Sequence, residues 1–202
     1  MRSWLVLVLM CAAAAAITGC SQSITNKDSQ GQEIICLGDS ITEGVGAGAG
    51  EDYPSILGKK LAVEVINAGI RGETTRDGLK RIERDVLQKN PRLVIIEFGA
   101  NDFFLKIPQE ETFKNIDKMI ALVQNKGSMA AVAAIKIGIL SDGYYAGYKE
   151  VAQKRKALLI PDILKGVFDH PEYKFDEIHP NAQGYKLVAE RIYQYIKPLM
   201  GR

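Results

Sequence analysis

Short apolar runs alternate with longer amphipathic segments along most of this chain. Apolar runs of this length are typical of buried parallel strands. Between the runs, apolar residues recur at helical spacing, as Leu79, Ile82 and Val86 do at i, i+3 and i+7. The pattern predicts strands at 33–37, 63–66, 93–98, 129–140 and 158–160, and helices that begin at Tyr53, at Thr74 or Thr75, before Phe113, near Tyr144 and at Asn181. Strands that alternate with helices at this spacing predict an α/β fold with a parallel sheet covered on both faces.

The end of the first predicted strand carries a serine. Its apolar run gives way to Gly38-Asp39-Ser40, and a glycine there permits a tight turn. Ligands of open α/β sheets bind just beyond the carboxyl ends of the strands, so the hydroxyl of Ser40 is expected to point into that crevice. Serine is a weak nucleophile unless a base takes its proton. The chain therefore has to supply a base if Ser40 is to react.

Only two histidines are available as that base. His179 lies directly before the last predicted helix, and Asp176 is three residues ahead of it on the same loop. An aspartate so placed can hold Nδ1 and leave Nε2 free to act towards Ser40. The rival is His170, whose acid, Asp169, is adjacent in sequence, so that the two side chains tend to diverge. Without Ser40, the Asp-x-x-His pair would equally fit a hydrogen bond at a helix entry.

Acyl transfer also needs hydrogen-bond donors for a developing oxyanion, and these are usually backbone N–H groups or an asparagine amide. Gly72 and Asn101 each follow a predicted strand at the same edge as Ser40, although each could equally be an ordinary turn residue. A zinc site needs three protein ligands, and two histidines at separate places do not favour one. We therefore expect no metal.

The glycines between Gly44 and Gly50 resemble a phosphate-binding loop in composition. They match neither nucleotide-binding pattern, because the G-x-G-x-x-G spacing is not met and no Gly-Lys-Ser/Thr follows. We expect a mobile loop of small residues beside the serine instead. With Ile107 and the segment Ser141–Tyr148, this loop is a candidate for the acyl pocket on position alone.

The first twenty residues differ from the rest of the chain. Arg2 precedes an almost wholly apolar run that ends in Thr18-Gly19-Cys20. A short apolar run followed by small residues is typical of a secretory signal, and a transmembrane helix would need about 20 apolar residues. The pattern resembles a bacterial lipoprotein lipobox, which implies cleavage before Cys20 and lipid on its sulfur. The alternatives are a plain secreted protein and an uncleaved anchor.

Lipid on Cys20 would hold the protein at a membrane surface. Ser21, rather than an acidic residue, follows the cysteine, which implies sorting to the periplasmic face of an outer membrane. The chain then divides into a signal peptide (1–19), a lipidated cysteine with a flexible polar tether (20–32) and a folded domain (33–202).

Composition narrows the function classes. The 202 residues are 25% charged with a net charge of +2, which is ordinary for one domain and gives no support for nucleic-acid binding. Cys36 is the only cysteine after residue 20, so the mature domain has no intrachain disulfide. A cysteine within an apolar strand is usually a small core residue, and we expect that of Cys36.

Four segments together resemble the SGNH hydrolases, also called GDSL esterases and lipases. Gly38-Asp39-Ser40 matches the first block, with Ile41 in place of the usual leucine. The segments 67–75, 99–102 and 176–180 match further blocks through Gly72, Asn101 and His179, in family order. The resemblance covers nearly the whole mature chain and is greatest to the bacterial arylesterase, thioesterase and lysophospholipase subgroup.

This resemblance implies a flavodoxin-like three-layer α/β/α sandwich with a five-stranded parallel sheet. It implies a serine esterase or lipase that hydrolyses carboxylic or thio esters through an acyl-enzyme, with a Ser40–His179–Asp176 triad and no cofactor. The oxyanion donors would be the N–H groups of Ser40 and Gly72 and the amide of Asn101. We expect a monomer that acts on small-molecule esters, with structural roles for three acids, Asp39, Glu97 and Asp102, which would hold loops through hydrogen bonds. Alternatives are a carbohydrate O-acetylesterase of the cell envelope and a non-catalytic envelope lipoprotein.

Overall fold

A computed structural model describes residues 23–136 and 142–201. Its strands are β1 (Ile34–Gly38), β2 (Val65–Gly69), β3 (Leu93–Glu97), β4 (Met129–Ala133) and β5 (Leu158–Ile160). All five are parallel and form one sheet in the order β2-β1-β3-β4-β5. This confirms the predicted fold class and the five-stranded sheet.

Helices cover both faces of the sheet. They are α1 (Ser40–Glu43), α2 (Tyr53–Leu61), α3 (Thr75–Asp85), α4 (Ala100–Phe104), α5 (Gln109–Asn125), α6 (Asp142–Arg155) and α7 (Ala182–Ile196). The last helix, α7, packs against α2 on one face, and α5 packs against both α3 and α6 on the other. Within the described ranges, no helix has both the length and the apolar character to cross a membrane.

The order in which strands are added across the sheet reverses between β1 and β3, which places a crevice at the carboxyl ends of these two strands. The chain passes from β1 outward to β2 and then returns across β1 to β3. Ligands of open α/β sheets bind where the strand order reverses in this way. Every residue of β1, β3 and β4 is buried, which explains their continuous apolar runs.

Two strands differ from the sequence prediction by more than one residue at a boundary. The edge strand β2 starts two residues later and ends three residues later than predicted. It continues past Asn67 because this polar residue is exposed on the edge strand, where it bonds Asp52 Oδ1 (3.2 Å). β4 ends at Ala133 rather than at residue 140. Its neighbour β5 has only three residues, so the ladder of hydrogen bonds ends with it. Residues 137–141 of the predicted strand lie outside the described residues.

Part of the predicted tether is held on the domain. The backbone N–H of Thr25 donates to the carbonyl of Lys156 (3.0 Å), and Asn26 Nδ2 donates to the carbonyls of Gln124 (2.7 Å) and Ser128 (3.0 Å). Ile24 is partly buried against the core. These contacts correct the expectation of a flexible tether for residues 24–26.

Gly99 is required where the chain leaves β3. Its φ of +138° is outside the range that L side chains adopt readily, and a Cβ there would lie 2.1 Å from Tyr148 Oη. That hydroxyl donates to the carbonyl of Phe98 (2.7 Å), so α6 is tied directly to the end of β3. A side chain at Gly99 would therefore displace α6.

We expect Gly99→Ala to lower the free energy of unfolding by roughly 2–5 kcal/mol, because backbone strain and overpacking act together. Gly127→Ala is the matched control. Gly127 has a φ of +83° but nothing within 4 Å of an added Cβ, so strain alone should cost about 1–2 kcal/mol. Urea unfolding measures both. Equal losses in the two variants would show that the close contact with Tyr148 does not contribute to the change in the free energy of unfolding.

Candidate active site

Three predicted residues form a continuous chain of hydrogen bonds. Ser40 Oγ lies 2.9 Å from His179 Nε2, and His179 Nδ1 lies 2.8 Å from Asp176 Oδ2. When Nδ1 carries the proton and donates it to Asp176, Nε2 is an acceptor for the hydroxyl of Ser40. His170 is exposed and pairs instead with Glu172 at 3.6 Å. The structure thus brings His179, and not its rival, to Ser40.

Hydrogen bonds within the loop 175–179 fix the position of the histidine. Asp176 Oδ1 accepts hydrogen bonds from the N–H groups of Ile178 (2.9 Å) and His179 (2.8 Å), while the N–H of Phe175 donates to the carbonyl of His179 (2.9 Å). Partial burial raises the pKa of Asp176, but these bonds and the one from the imidazole bring it below its ordinary value. Asp176 is therefore held as a carboxylate facing Nδ1.

Ser40 is positioned by a tight connection between β1 and α1. The carboxylate of Asp39 caps the helix by accepting from the N–H of Ile41 (3.0 Å). Gly38 is needed for close packing rather than for a positive φ, because a Cβ there would lie 2.0 Å from Thr42 Oγ1 and 2.7 Å from the carbonyl of Glu97. The glycine therefore lets α1 start directly against the end of β3.

The predicted oxyanion donors meet at this same edge. Gly72 has a φ of +79°, and its loop is joined to the end of β1 by a bond from the N–H of Ile70 to the carbonyl of Gly38 (3.1 Å). Within the described residues, the N–H groups of Ser40 and Gly72 donate to no other atom. They are available to an incoming oxyanion.

The amide of Asn101 is already hydrogen-bonded. Its Nδ2 donates to the carbonyl of Glu73 (2.8 Å) and to Asp39 Oδ2 (3.2 Å). The bond to Glu73 fixes the side chain against the loop that carries Gly72. The longer bond to Asp39 is the one that an oxyanion can replace, because an amide nitrogen has only two hydrogens.

Two fully buried carboxyls lie beneath the nucleophile. Asp39 Oδ1 accepts from the N–H of Ile41 (3.0 Å) and Glu97 Oε2 accepts from Thr42 Oγ1 (2.8 Å), while Glu97 Oε1 has no hydrogen-bond partner among the described residues. Burial raises the pKa of Asp39 well above its ordinary value and that of Glu97 to about 7. The pair therefore retains a proton near neutral pH and keeps a rigid polar floor under Ser40.

A second buried acid joins α3, α4 and α5. Asp102 accepts from the N–H of Thr75 (2.9 Å), from the hydroxyl of Thr75 and from Thr112 Oγ1 (3.2 Å). These bonds hold the helix that begins just after Gly72 against the one that carries Asn101. The expected structural roles of Asp39, Glu97 and Asp102 agree with these contacts.

Arg81 is a supporting residue that the sequence did not reveal. From α3, its guanidinium donates to the carbonyls of Gly38 (3.2 Å) and Ala68 (2.8 Å) and pairs with Glu73 (2.6 Å). It thus joins the ends of β1 and β2 to the residue whose carbonyl holds Asn101. An arginine on an amphipathic helix usually faces solvent, and no sequence pattern marked this one as buried.

The space next to the site is an open groove. A depression of about 500 Å³ is lined by Phe103, Phe104, Lys106, Ile107, Gln109 and Tyr144. The first of these residues, Phe103, is two positions after Asn101 in the sequence. Two of the predicted pocket regions, Ile107 and the segment around Tyr144, contribute to the depression. Cavities of about 670 and 570 Å³ lie around residues 24–32, at the opposite edge of the sheet, and contain no site residue.

The glycine loop 44–50 braces the histidine loop. A Cβ on Gly46 would lie 2.5 Å from the carbonyl of Pro180 and 2.6 Å from Phe175 Cβ, and Tyr185 Oη donates to the carbonyl of Val45 (2.9 Å). The expectation of a mobile loop is corrected by this packing. Small residues are needed here because the loop approaches the backbone next to His179.

Cys36 is fully buried, as predicted, and burial raises the pKa of its thiol. It is a core residue rather than a nucleophile. In the ranges 23–136 and 142–201, no group of three or more His, Cys, Asp or Glu side chains could hold a metal ion.

A parallel sheet with a serine, a histidine and an aspartate in hydrogen-bond contact beyond its carboxyl ends is the arrangement of an α/β serine hydrolase. The sequence profile of the GDSL-like lipase/acylhydrolase family matches residues 36–187. The chain belongs to this family and is a serine ester hydrolase.

Individual relatives agree with this assignment. The chain is 32% identical over 174 residues to an arylesterase of Vibrio mimicus, covering 81% of this chain and 87% of the relative. It is 26% identical over 199 residues to esterase TesA of Pseudomonas aeruginosa, covering 93% and 99%. A crystal structure of TesA superposes with a TM-score of 0.78 at 27% identity, covering 83% of this chain and 99% of that one.

The buried carboxyl pair gives a prediction for stability against pH. The pKa of Glu97 rises from an ordinary 4.5 to about 7 on folding. Its contribution to the free energy of unfolding is therefore fully present below about pH 4.5 and is lost as pH rises towards 7. The slope for one proton is at most about 1.4 kcal/mol per pH unit. Glu97→Gln can still accept from Thr42 but cannot titrate.

We therefore expect Glu97→Gln to lose less unfolding free energy than the wild type between pH 5 and 7, measured by urea unfolding. Glu177→Gln is the control, because Glu177 has a side chain that is 94% exposed. Parallel pH profiles for wild type and Glu97→Gln would contradict a retained proton in the pair.

Proposed function

We propose that the protein hydrolyses carboxylic esters through an acyl-enzyme on Ser40. The observation that carries this proposal is the hydrogen-bonded chain from Ser40 Oγ through His179 to Asp176, with distances of 2.9 and 2.8 Å. A serine hydroxyl in contact with a properly held imidazole is an activated nucleophile. The nearby groove gives an ester carbonyl access to it.

In the first half of the reaction, Ser40 Oγ attacks the ester carbonyl carbon while its proton passes to His179 Nε2. The oxyanion of the tetrahedral intermediate accepts from the N–H groups of Ser40 and Gly72 and from the amide of Asn101. Asp176 stabilises the imidazolium that has formed. Collapse expels the alcohol, which takes the proton from Nε2, and leaves the acyl group on Ser40.

In the second half, water takes the place of the alcohol. His179 accepts a proton from the water as its oxygen attacks the acyl carbon, and then returns it to Ser40 Oγ as the acid leaves. All of these groups come from one chain, which fits the expected monomer.

We propose aryl esters and esters of short to medium acyl chains as substrates. The groove after Asn101 is open and is lined by Phe103, Phe104, Ile107 and Tyr144. Edge-to-face contacts of Phe103 with Phe104 and Tyr144, at 5.8 and 5.7 Å, present aromatic surface there. The arylesterase of Vibrio mimicus supports the same substrate class by its name.

We also propose that Cys20 carries lipid and anchors the protein in the cell envelope, at the periplasmic face of an outer membrane. The support is the short apolar run, the small residues Thr18 and Gly19, and the serine that follows the cysteine. Mass spectrometry of the protein isolated from membranes tests this, because lipid on the Cys20 sulfur after removal of residues 1–19 gives a defined mass. An intact Met1 or an unmodified Cys20 would refute it.

The substrate proposal is tested with p-nitrophenyl esters from acetate to palmitate, with Ser40→Ala beside the wild type. A serine-dependent maximum at short or medium chains, together with hydrolysis of phenyl acetate, supports it. Activity confined to acetate, with release of acetate from acetylated glycans, would favour the carbohydrate O-acetylesterase instead. No serine-dependent hydrolysis of any ester would leave only a non-catalytic lipoprotein.

We expect Ser40→Ala and His179→Ala each to lower kcat by about 10⁴-fold or more, because triad members act as a unit. His170→Ala is the matched control and should retain wild-type kcat, since His170 is away from Ser40. Initial rates with p-nitrophenyl butyrate measure all three. A wild-type rate for His179→Ala, or a large loss for His170→Ala, would reverse the choice of base.

Asn101→Ala should lower kcat by roughly 10²–10³-fold with little change in KM, because the amide is expected to act on the oxyanion rather than on the ground state. Asn67→Ala removes an equivalent amide from the edge strand β2 and should not lower kcat to this extent. A rise in KM alone for Asn101→Ala would argue that the amide binds substrate and does not stabilise the transition state.

A further inference from the structure

The two ends of the parallel strands present different surfaces. We call the carboxyl end, which carries Ser40, Gly72, Asn101 and His179, the catalytic edge. The opposite end, where the strands begin, is formed by the loops that enter β3, β4 and β5 and by residues 24–27. We call this opposite end the anchor face, defined by Lys27, Lys89, Lys126 and Lys156 together with residues 24–26.

The chain that comes from Cys20 meets the domain at the anchor face. Thr25 bonds the carbonyl of Lys156, two residues before β5, and Asn26 bonds the carbonyl of Ser128, directly before β4. Ile24 packs against the core beside them. The point of attachment is therefore on the side of the sheet away from Ser40.

The length of chain between the lipid and this attachment is short. Cys20 lies five positions before Thr25, and even a fully extended segment of that length spans at most about 18 Å. The five residues of β1 alone separate the two edges by about 16 Å, and the loops with the site residues lie beyond. A lipid on Cys20 cannot pass around the domain and bring the catalytic edge to the same bilayer.

The anchor face carries exposed positive charges, which suit a membrane surface with anionic lipids. Its four lysines are all exposed, and Lys126 alone has an acidic neighbour in salt-bridge range, Glu83 at 3.6 Å. The helices run against the strands, so the negative ends of their dipoles lie here and favour lysine. Asp28, Glu64 and Glu83 are the exposed acids nearby, whereas the catalytic edge combines Arg71 and Lys106 with Glu51, Glu110, Asp176 and Glu177.

We propose that the anchor face lies against the anionic headgroups of the membrane that holds the lipid on Cys20, and that the catalytic edge faces water. This rests on the lipidation of Cys20 put forward above. Exposed lysines near a bilayer are attracted to its anionic lipids, whereas a surface rich in acids is repelled. The attachment point and the charges thus favour the same orientation.

This orientation limits the substrate. Ile70, Phe104, Leu105 and Phe175 are exposed apolar side chains on the loops of the catalytic edge. In the proposed orientation they cannot enter the anchoring bilayer, so they contact the apolar part of an ester that arrives from the aqueous side. Lipids of the anchoring leaflet are excluded as substrates, and water-dispersed aryl or acyl esters are preferred.

Fluorescence quenching tests the orientation without using activity. The full-length lipoprotein carries a bimane label at Gln88→Cys on the anchor face or at Leu105→Cys on the catalytic edge, while Cys36 is buried and stays unlabelled. The vesicles contain phosphatidylethanolamine and phosphatidylglycerol, with a nitroxide on some headgroups. We expect strong quenching at position 88 and little at 105. Equal quenching, or more at 105, would overturn the proposal.

A longer tether tests the limit on substrate. Inserting 20 Gly/Ser residues between Gln22 and Ser23 adds a coil with an r.m.s. length of about 25 Å. We expect hydrolysis of 4-methylumbelliferyl decanoate, a medium-chain ester embedded in the same vesicles, to rise at least five-fold, with no change for soluble p-nitrophenyl butyrate. An unchanged rate on the embedded ester would overturn the proposal. Loss of hydrolysis of the soluble ester in both forms would instead refute the esterase function, while the quenching still reports the orientation.

Discussion

The parallel pairing of β1 with β2 on one side and β3 on the other is the constraint on which the site depends. Gly38 stands opposite Gly69 and Glu97, so the three strands end at one level and their loops start side by side. Ser40, Gly72 and Asn101 then meet although they are far apart in sequence. A slip of one residue in either pairing would exchange the side chains between the two covered faces of the sheet and separate these loops.

Polar groups buried inside this apolar sheet keep the meeting point rigid. Under the nucleophile, Asp39 and one oxygen of Glu97 accept hydrogen bonds from nearby donors, and Asp102 does so between the helices. Such groups are costly to bury unless each has a partner, which restricts the arrangements the loops can adopt. The same restriction keeps the donors in place before substrate arrives, and preorganised donors are the main source of electrostatic catalysis.

The alternation of strands and helices and the positions of Ser40, Gly72, Asn101 and His179 were readable from the sequence, because strand ends and turn residues have strong local signatures. The ends of β2 and β4 were not. Asn67 continues an edge strand that tolerates polar residues, and the length of β4 depends on its partner β5. Arg81, Thr42 and Tyr148 were missed for a related reason: their contacts join residues 43, 55 and 50 positions away. Likewise, nothing in the polar composition of residues 20–32 indicated that Thr25 and Asn26 bind the domain.

The single cysteine of the folded domain has a consequence for where this enzyme can work. Cys36 is the only cysteine after residue 20, it is fully buried in β1, and burial keeps it as the unreactive thiol. Folding therefore needs no disulfide isomerase, and neither an oxidant nor a reductant has a bond in the domain to make or break. The fold of the domain therefore does not depend on a disulfide, in an oxidising or in a reducing compartment.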